Sequence, residues 1–365
     1  MVKIAFVFIL LATLGSPVNQ KSKHNLDFKD DSTLPSSKLF ESDDILDLTI
    51  RGDINSLFKD RSDKMEYHPM VLTYTAEDSS LVNHELKIKT RGHFRRSRVN
   101  CVYPPLLLNF SKEKTPPQSL FENEGKLKLV TPCSDDKYVI REYLVYKLYN
   151  LLTDKSYKAR LVRVIYDDTV KNKKTKPLFG ILLEDDDHMA RRNNAVVIET
   201  QLVKPQQTEN EIFLTTAVFE YMIANTDWSV QYRQNITLMG TDTMVIPMTV
   251  PYDFDHAGIV STPYAKPEEA LELSSVRQRR YRGYCMPNLA KFKETFALFN
   301  REKDNLYRVY SDNKLLDEKY IKSTLQFLDE FYETINNEKN IKNVFSYPCL
   351  EDGTGNVVIK GLGKN

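Results

Sequence analysis

Four polar residues stand around two apolar stretches in the second half of the chain: Asp227 and Asn235 in NTDWSVQYRQNITLM, then Asp253 and Asp255 in PYDFDHAG. Carboxylate and amide oxygens are the ligands magnesium takes, usually one or two from the protein with water and substrate phosphates supplying the rest. Phosphoryl transfer asks little covalent chemistry of a protein. It needs a cation for the phosphates, oxygen ligands for the metal and a carboxylate that orients the attacking hydroxyl. The order Asp, Asn, strand, turn, strand, Asp-Phe-Asp can supply the last two. Taken alone, an Asp-x-Asp beside a strand end is turn chemistry, because Asp side chains readily bond the nearby backbone. The added Asp227, Asn235 and buried helix before them point instead to a metal and phosphoryl-transfer centre.

These residues need elements to hold them. EIFLTTAVFEYMIANTDW is apolar on nearly every side and predicts a helix buried in a core. ITLM and MVIPMTV read as strands around the turn GTDT, with Pro247 and Pro251 marking the second as an edge strand. Upstream, LDLTIR, MVLTYT, LKIKTRG, PPLLLNF and KLKLVT are short β-rich runs. The alternation in HELKIKTRG puts Leu86 and Ile88 on one face, with Lys87 and Lys89 on the other. PCSDDKYVIREYLVYKLYNLLTD changes period: Ser134 or Asp135 can cap a helix whose apolar stripe is Ile140, Leu144, Leu148 and Leu151. ARLVRVIYDD and KPLFGILLEDDD follow as a strand pair joined by a Lys-rich turn, and EDDDHMARRNN reads as a solvated charged loop. A tail helix carries Ile321, Leu325, Leu328, Phe331 and Ile335. The class is α+β, a β-rich part followed by an α-rich part.

Around this body, MVKIAFVFILLATLGSPVNQ has the basic residue, the apolar run from Ile4 to Leu14 and the small residues of a secretory signal peptide. The run is shorter than the roughly 20 residues a membrane span needs, so no stable membrane insertion is expected. The expected organisation is a signal peptide over 1–19, a flexible linker over 20–40, a β-rich lobe over 41–188, an α-rich lobe over 189–350 and a tail over 351–365. The location implied is periplasmic or secreted. A net charge of +1 excludes a general nucleic-acid binder, which selects strongly basic surfaces. Four cysteines in an oxidising compartment favour disulfides, and the reading pairs Cys101 with Cys133 and Cys285 with Cys349.

At the four polar residues the chain resembles the kinase-like superfamily, and most closely the CotH-like kinases. The pattern D, N-I-x-L, strand, Y-D-F-D carries the resemblance, together with LKIKTRGHFRR and LFGILLEDDD upstream. The resemblance implies a two-lobed atypical protein-kinase-like fold, ATP as donor and Mg2+ or Mn2+ as cofactor. It implies Asp227 as the catalytic carboxylate, Asn235 and Asp253 as metal ligands, and Asp255 as a further metal candidate. For the phosphates it implies a cation from the β-rich lobe: Lys128 first, with Lys126 and Arg91 as rivals, and Glu142 as ion-pair partner of the lysine. Glu184 is placed near the nucleotide base. The chain departs from the family at His93 and Phe94, in the longer gap between Asp227 and Asn235, and in having no G-x-G-x-x-G loop.

The function expected is transfer of phosphate from ATP to a hydroxyl of a protein or a surface polymer. Two alternatives remain open: a kinase-like binding or scaffold protein of the cell envelope without activity, and a glycosyltransferase using Asp253 and Asp255 as its Asp-x-Asp. The second requires an early nucleotide-binding α/β unit.

Overall fold

Alternation along the first half becomes a sheet that closes on itself. In the computed structural model, residues 37–353 are described apart from 112–114, 201 and 242–245. The stretch read as a signal peptide, most of the linker, part of the GTDT turn and most of the tail lie outside the described residues. The predicted runs are β1 (Leu46–Gly52), β2 (His68–Thr75), β3 (Leu81–Thr90), β4 (Leu106–Phe110) and β5 (Lys126–Val130). With β6 (Ala159–Asp168), β7 (Lys173–Lys174) and β8 (Leu178–Leu183) they form one sheet of order β1-β2-β3-β4-β5-β8-β6-β7. Neighbours in that order are antiparallel. β1 then pairs in parallel with β6, from Leu46 opposite Val162 to Gly52 opposite Asp168, which closes the barrel and leaves the two-residue β7 outside it.

Inward positions fill the barrel, among them Leu48, Ile50, Leu72, Leu86, Ile88, Leu106, Leu127 and Val164. The fully buried members of such a set contribute about 1.5–3 kcal/mol each. Lys87, alternating with Leu86 and Ile88, is exposed as its position in β3 requires. α1 (Ile54–Lys59) adds Ile54 and Leu57 to this core, and so do Leu39 and Phe40 of the 3-10 turn Lys38–Phe40. The end of the stretch read as a linker is therefore packed.

α2 (Asp136–Leu152) starts at the predicted cap, Asp135 accepting from the Lys137 N–H. It packs on β6 and β8, where Ala159, Leu161, Ile181 and Leu183 join a second hydrophobic cluster. α3 (Asp186–Arg192) differs from expectation, since the charged EDDDHMARRNN is helical. Asp185 caps it, acids at its start and arginines at its end match the helix dipole, and Met189 and Ala190 anchor it.

α4 (Asn210–Met222) is buried from Phe213 to Met222, as its all-round apolarity predicts. It lies against a small sheet of β9 (Val196–Val197), β10 (Ile236–Gly240) and β11 (Met248–Pro251), with β11 on an edge as its prolines require. α5 (Lys293–Arg301), α6 (Lys303–Ser311), α7 (Glu318–Ile335) and α8 (Glu338–Phe345) complete the second cluster. The buried stripe of α7 is Tyr320, Thr324, Phe327, Leu328, Phe331, Tyr332 and Ile335, so Ile321 and Leu325 sit at its margin.

A β-rich half followed by a helical half is what the sequence predicts. The division into two lobes is not visible as a break, because the described chain packs as one compact unit. Both expected disulfides are present, Cys101 with Cys133 and Cys285 with Cys349, at Cα separations of 4.5 and 4.6 Å. No helix of the described residues is long and apolar enough to cross a membrane.

Candidate functional site

The buried end of α4 delivers Asp227. Ala224, in the left-handed region at φ 54°, turns the chain out of the helix, and Asn225 Oδ1 then accepts the Asp227 N–H at 3.1 Å. The residues that lengthen the gap before Asn235 are tied off. Ser229 and Gln234 exchange two backbone hydrogen bonds of 2.9 Å, closing 229–234 into a small turn. Asn235 therefore lies against Asp227 despite the spacing: its Nδ2 donates to the Asp227 carbonyl at 2.7 Å and to Oδ2 at 3.1 Å.

Asp253 arrives across the hairpin. β10 and β11 pair with Ile236 opposite Pro251, so the residues just outside that pair meet, and the Tyr252 N–H donates to the Asn235 carbonyl at 3.0 Å. The Asp253 N–H donates to the Tyr146 hydroxyl of α2 at 2.9 Å. Asn235 and Asp253 are both left-handed, at φ 52° and 61°. That conformation is uncommon outside glycine, costs about 1–3 kcal/mol each, and persists where the surroundings fix it.

A cavity of about 220 Å³ opens between these loops, lined by Asp227, Gln234, Asn235, Asp253, Asp255 and His256 on one side and by Arg91 to Arg95 with Val130 on the other. Ordinary small-molecule sites run to about 300–1,000 Å³, so this space admits the end of a ligand and not a whole nucleotide. A larger hollow of about 1170 Å³ lies against β1 to β4 and contains none of the candidate residues.

The carboxylates differ in their partners. Asp255 is buried, accepts the Tyr264 hydroxyl at 2.9 Å and faces Arg95 at 3.5 Å. The Asp253 carboxylate has no hydrogen bond or ion pair among the described residues. Burial raises its pKa above the usual value and the Asp255 charge adds to this, against the pull of Arg95, Arg91 and His256. Burial also raises Asp227, which His256 opposes and Asp253 reinforces.

No group of three or more His, Cys, Asp and Glu side chains that could hold a metal occurs among the described residues. The donor set is one of oxygen and amide. The Asn235 amide nitrogen is committed to Asp227, which leaves its side-chain oxygen without a hydrogen bond among the described residues, and Asn235 lines the same cavity as Asp253. One carboxylate and one amide oxygen fit a magnesium ion that draws its other ligands from water and phosphate.

The other candidates are placed differently. Glu142 does not meet Lys128: it is buried on α2 and pairs with Arg95 at 3.3 Å. Burial pushes Glu142 up to about 8, with Arg95 opposing and Asp255 and Asp253 adding. Burial works against the Arg95 charge, yet Tyr264, Glu142, Asp255 and Asp253 outweigh it and raise the pKa. Lys128 bonds Asp186 at 2.5 Å and lies over the rings of Tyr157 and Tyr252, because those are what face its side of β5. Glu184 is held by both arms of Arg192, at 3.0 and 2.8 Å, and by the Lys158 N–H. Lys128, Glu142 and Glu184 do not line the cavity, whereas Arg91 does, and its guanidinium has no hydrogen-bond or ion-pair partner among the described residues.

Sequence reasoning missed Arg95 as the partner of Glu142, although Arg95 lies in the stretch LKIKTRGHFRR that carries part of the resemblance. It also passed over RQRRYRG, whose arginines hold the site from behind.

No protein-family model matches the chain, CotH-like kinases included, and no curated protein matches it in sequence. Among solved structures, the proinflammatory kinase CtkA of Helicobacter pylori aligns with 66% of this chain and 94% of that one, at 9% identity and a TM-score of 0.38.

Proposed function

We propose that the cavity is a metal-dependent phosphoryl-transfer site of an exported kinase-like enzyme that acts on a hydroxyl of a protein or surface polymer. The observation that carries this is the convergence of Asp227, Asn235 and Asp253 on one small cavity with the unpaired Arg91 opposite them. Asn235 and Asp253 would hold Mg2+ or Mn2+, which supplies charge for the phosphates of ATP. Arg91, in place of Lys128, binds phosphate oxygens. Asp227 orients the acceptor hydroxyl and takes its proton. Asp255 holds Arg95 and Tyr264, and so fixes the loop that carries Asp253. The small volume means that the phosphate end of the donor enters while the rest stays outside.

The absence of the expected Lys128–Glu142 pair favours a second reading, a kinase-like binding protein without turnover. The glycosyltransferase reading fits less well, since the early half is a barrel, antiparallel except where β1 meets β6, and not a nucleotide-binding α/β unit.

Calorimetry with ATP, with and without Mg2+ or Mn2+, separates these. The enzyme reading expects metal-dependent binding that Asp253→Ala abolishes and Asp227→Ala keeps, with turnover lost in both. Binding without turnover in the wild type supports the second reading. No binding of any nucleotide sinks the phosphoryl-transfer reading.

A further inference from the structure

The segment from Arg277 to Cys285 touches the site from behind. Arg282 Nη1 donates to the carbonyl of Thr226 at 2.5 Å and to that of Trp228 at 2.6 Å, the residues on either side of Asp227. Its guanidinium carbon lies 5.8 Å from the centre of the Trp228 ring. The two hydrogens of that nitrogen point in fixed directions within the guanidinium plane, one toward each carbonyl; a lysine ammonium has rotatable donors instead. Arg282 is itself held: Arg279 Nε donates to the Met222 carbonyl at the end of α4, Tyr281 is buried, and Cys285 is bonded to Cys349. Beneath the turn, the fully buried Glu220 of α4 lies near Asn225, Asp227 and Arg282.

We infer that Arg282 is a positioning residue that holds both carbonyls flanking Asp227 and so sets the direction in which that carboxylate enters the cavity. The clamp stands on the two hydrogen bonds. Its consequence for turnover rests on the phosphoryl-transfer reading above.

Asp227 sits in a turn that leaves a buried helix through a left-handed residue. Among the described residues, only Asn235 and, at 3.4 Å, Gln234 hydrogen-bond its side chain. A carboxylate that must orient a hydroxyl loses efficiency steeply with small displacements, on the order of a hundredfold for about 1 Å. A cation that fixes the carbonyls of the residues before and after it removes that freedom without entering the cavity, and Arg282 is not among the cavity's lining residues.

Trp228, the only tryptophan, is buried beside the clamp and reports on it directly. The test uses the oxidised full-length protein and Arg282→Lys, with Arg282→Gln as a second variant that keeps an NH2 donor on a shorter chain. The expected result is a red shift of Trp228 emission and amide exchange over residues 226–235 faster by about ten- to a hundredfold, with barrel amides unchanged. Turnover should fall about a hundredfold while the affinity for ATP with Mg2+ stays at the wild-type value. Unchanged emission and exchange in both variants overturn the clamp. Loosened amides with full turnover overturn the positioning role. Loosened amides in a protein whose wild type binds no nucleotide leave the clamp standing and overturn the phosphoryl-transfer reading with the role built on it.

Discussion

Two stretches of this chain each carry four arginines, TRGHFRRSR with Arg91, Arg95, Arg96 and Arg98, and VRQRRYRG with Arg277, Arg279, Arg280 and Arg282. In sequence they look alike, two basic runs fit for phosphate. In space they differ in what they leave over. In the second run Arg277 stacks on Phe327 and reaches the Gly258 carbonyl, Arg279 and Arg282 take carbonyls around the end of α4, and Arg280 reaches the Tyr347 hydroxyl. In the first, Arg95 meets Glu142 and Asp255, and Arg96 meets Asp63 and the Ser62 carbonyl. Arg91 alone lines the cavity without such a partner. Buried carbonyls and carboxylates must be satisfied before a ligand can be, because an unpaired buried polar group costs about 1–3 kcal/mol. The number of arginines in a run therefore says little about how many are left for a substrate.

The contrast can be broken most severely at Arg95. Arg95→Met leaves Glu142 and Asp255 buried without their cation, and breaking such a pair from one side costs about 3–5 kcal/mol. Chemical denaturation measures this, and a change under 1 kcal/mol would mean that these carboxyls do not need the arginine. Next is Arg279→Ala, which unpairs the Met222 carbonyl and removes a guanidinium stacked 3.6 Å from the Phe327 ring centre. It should cost about 1–3 kcal/mol and leave nucleotide affinity untouched. Arg91→Ala is the converse, with stability within about 0.5 kcal/mol of wild type and metal-dependent ATP binding weakened about tenfold or more. Loss of stability without loss of binding would assign Arg91 to the structural set.

A buried carboxyl without any arginine sharpens the rule from the other side. Among the described residues, Glu124 has only the Ser37 hydroxyl and, at 3.8 Å, His188. Burial pushes its pKa up to about 7, with Ser37 opposing and Glu184 and Asp185 adding. The folded state then holds a proton that the unfolded chain releases near 4.5, so the stabilisation is full below pH 4.5 and lost as the pH rises through about 7. Denaturation midpoints across that window should fall with pH in the wild type and flatten in Glu124→Gln. An equal slope in both would place the titration elsewhere.

The parts of the site legible in the sequence were those set by short range. Asn235 and Asp253 are brought together by a hairpin whose strands are apolar and whose edge is marked by proline, and each is a residue type that tolerates a left-handed backbone. The two disulfides were legible because four cysteines allow few pairings. Closure of the barrel was not, since the parallel pairing of β1 with β6 joins segments over a hundred residues apart without a local signal. The partner of Glu142 was misread for a related reason. Strand alternation fixes the face on which Lys128 lies, but not that α3 would place Asp186 there, or that a loop would carry Arg95 inward. EDDDHMARRNN shows that a charged run becomes a helix when its acids lead, its arginines follow and two apolar residues find a core.

The two crosslinks stand where the site's loops are anchored. Cys101–Cys133 joins the end of the loop bearing Arg91 and Arg95 to the entry of α2, and Cys285 follows Arg282 by three residues. Each closes a long stretch of chain, 32 and 64 residues apart, worth roughly 2–4 kcal/mol. Such bonds form in oxidising compartments and not where glutathione keeps thiols reduced. A copy of this chain retained in the cytosol would have every residue of the cavity and neither tether. Anchoring of both loops is thus coupled to an oxidising environment: reduction would free the segments that carry Arg91, Arg95 and Arg282 and leave the cavity's residues otherwise unchanged.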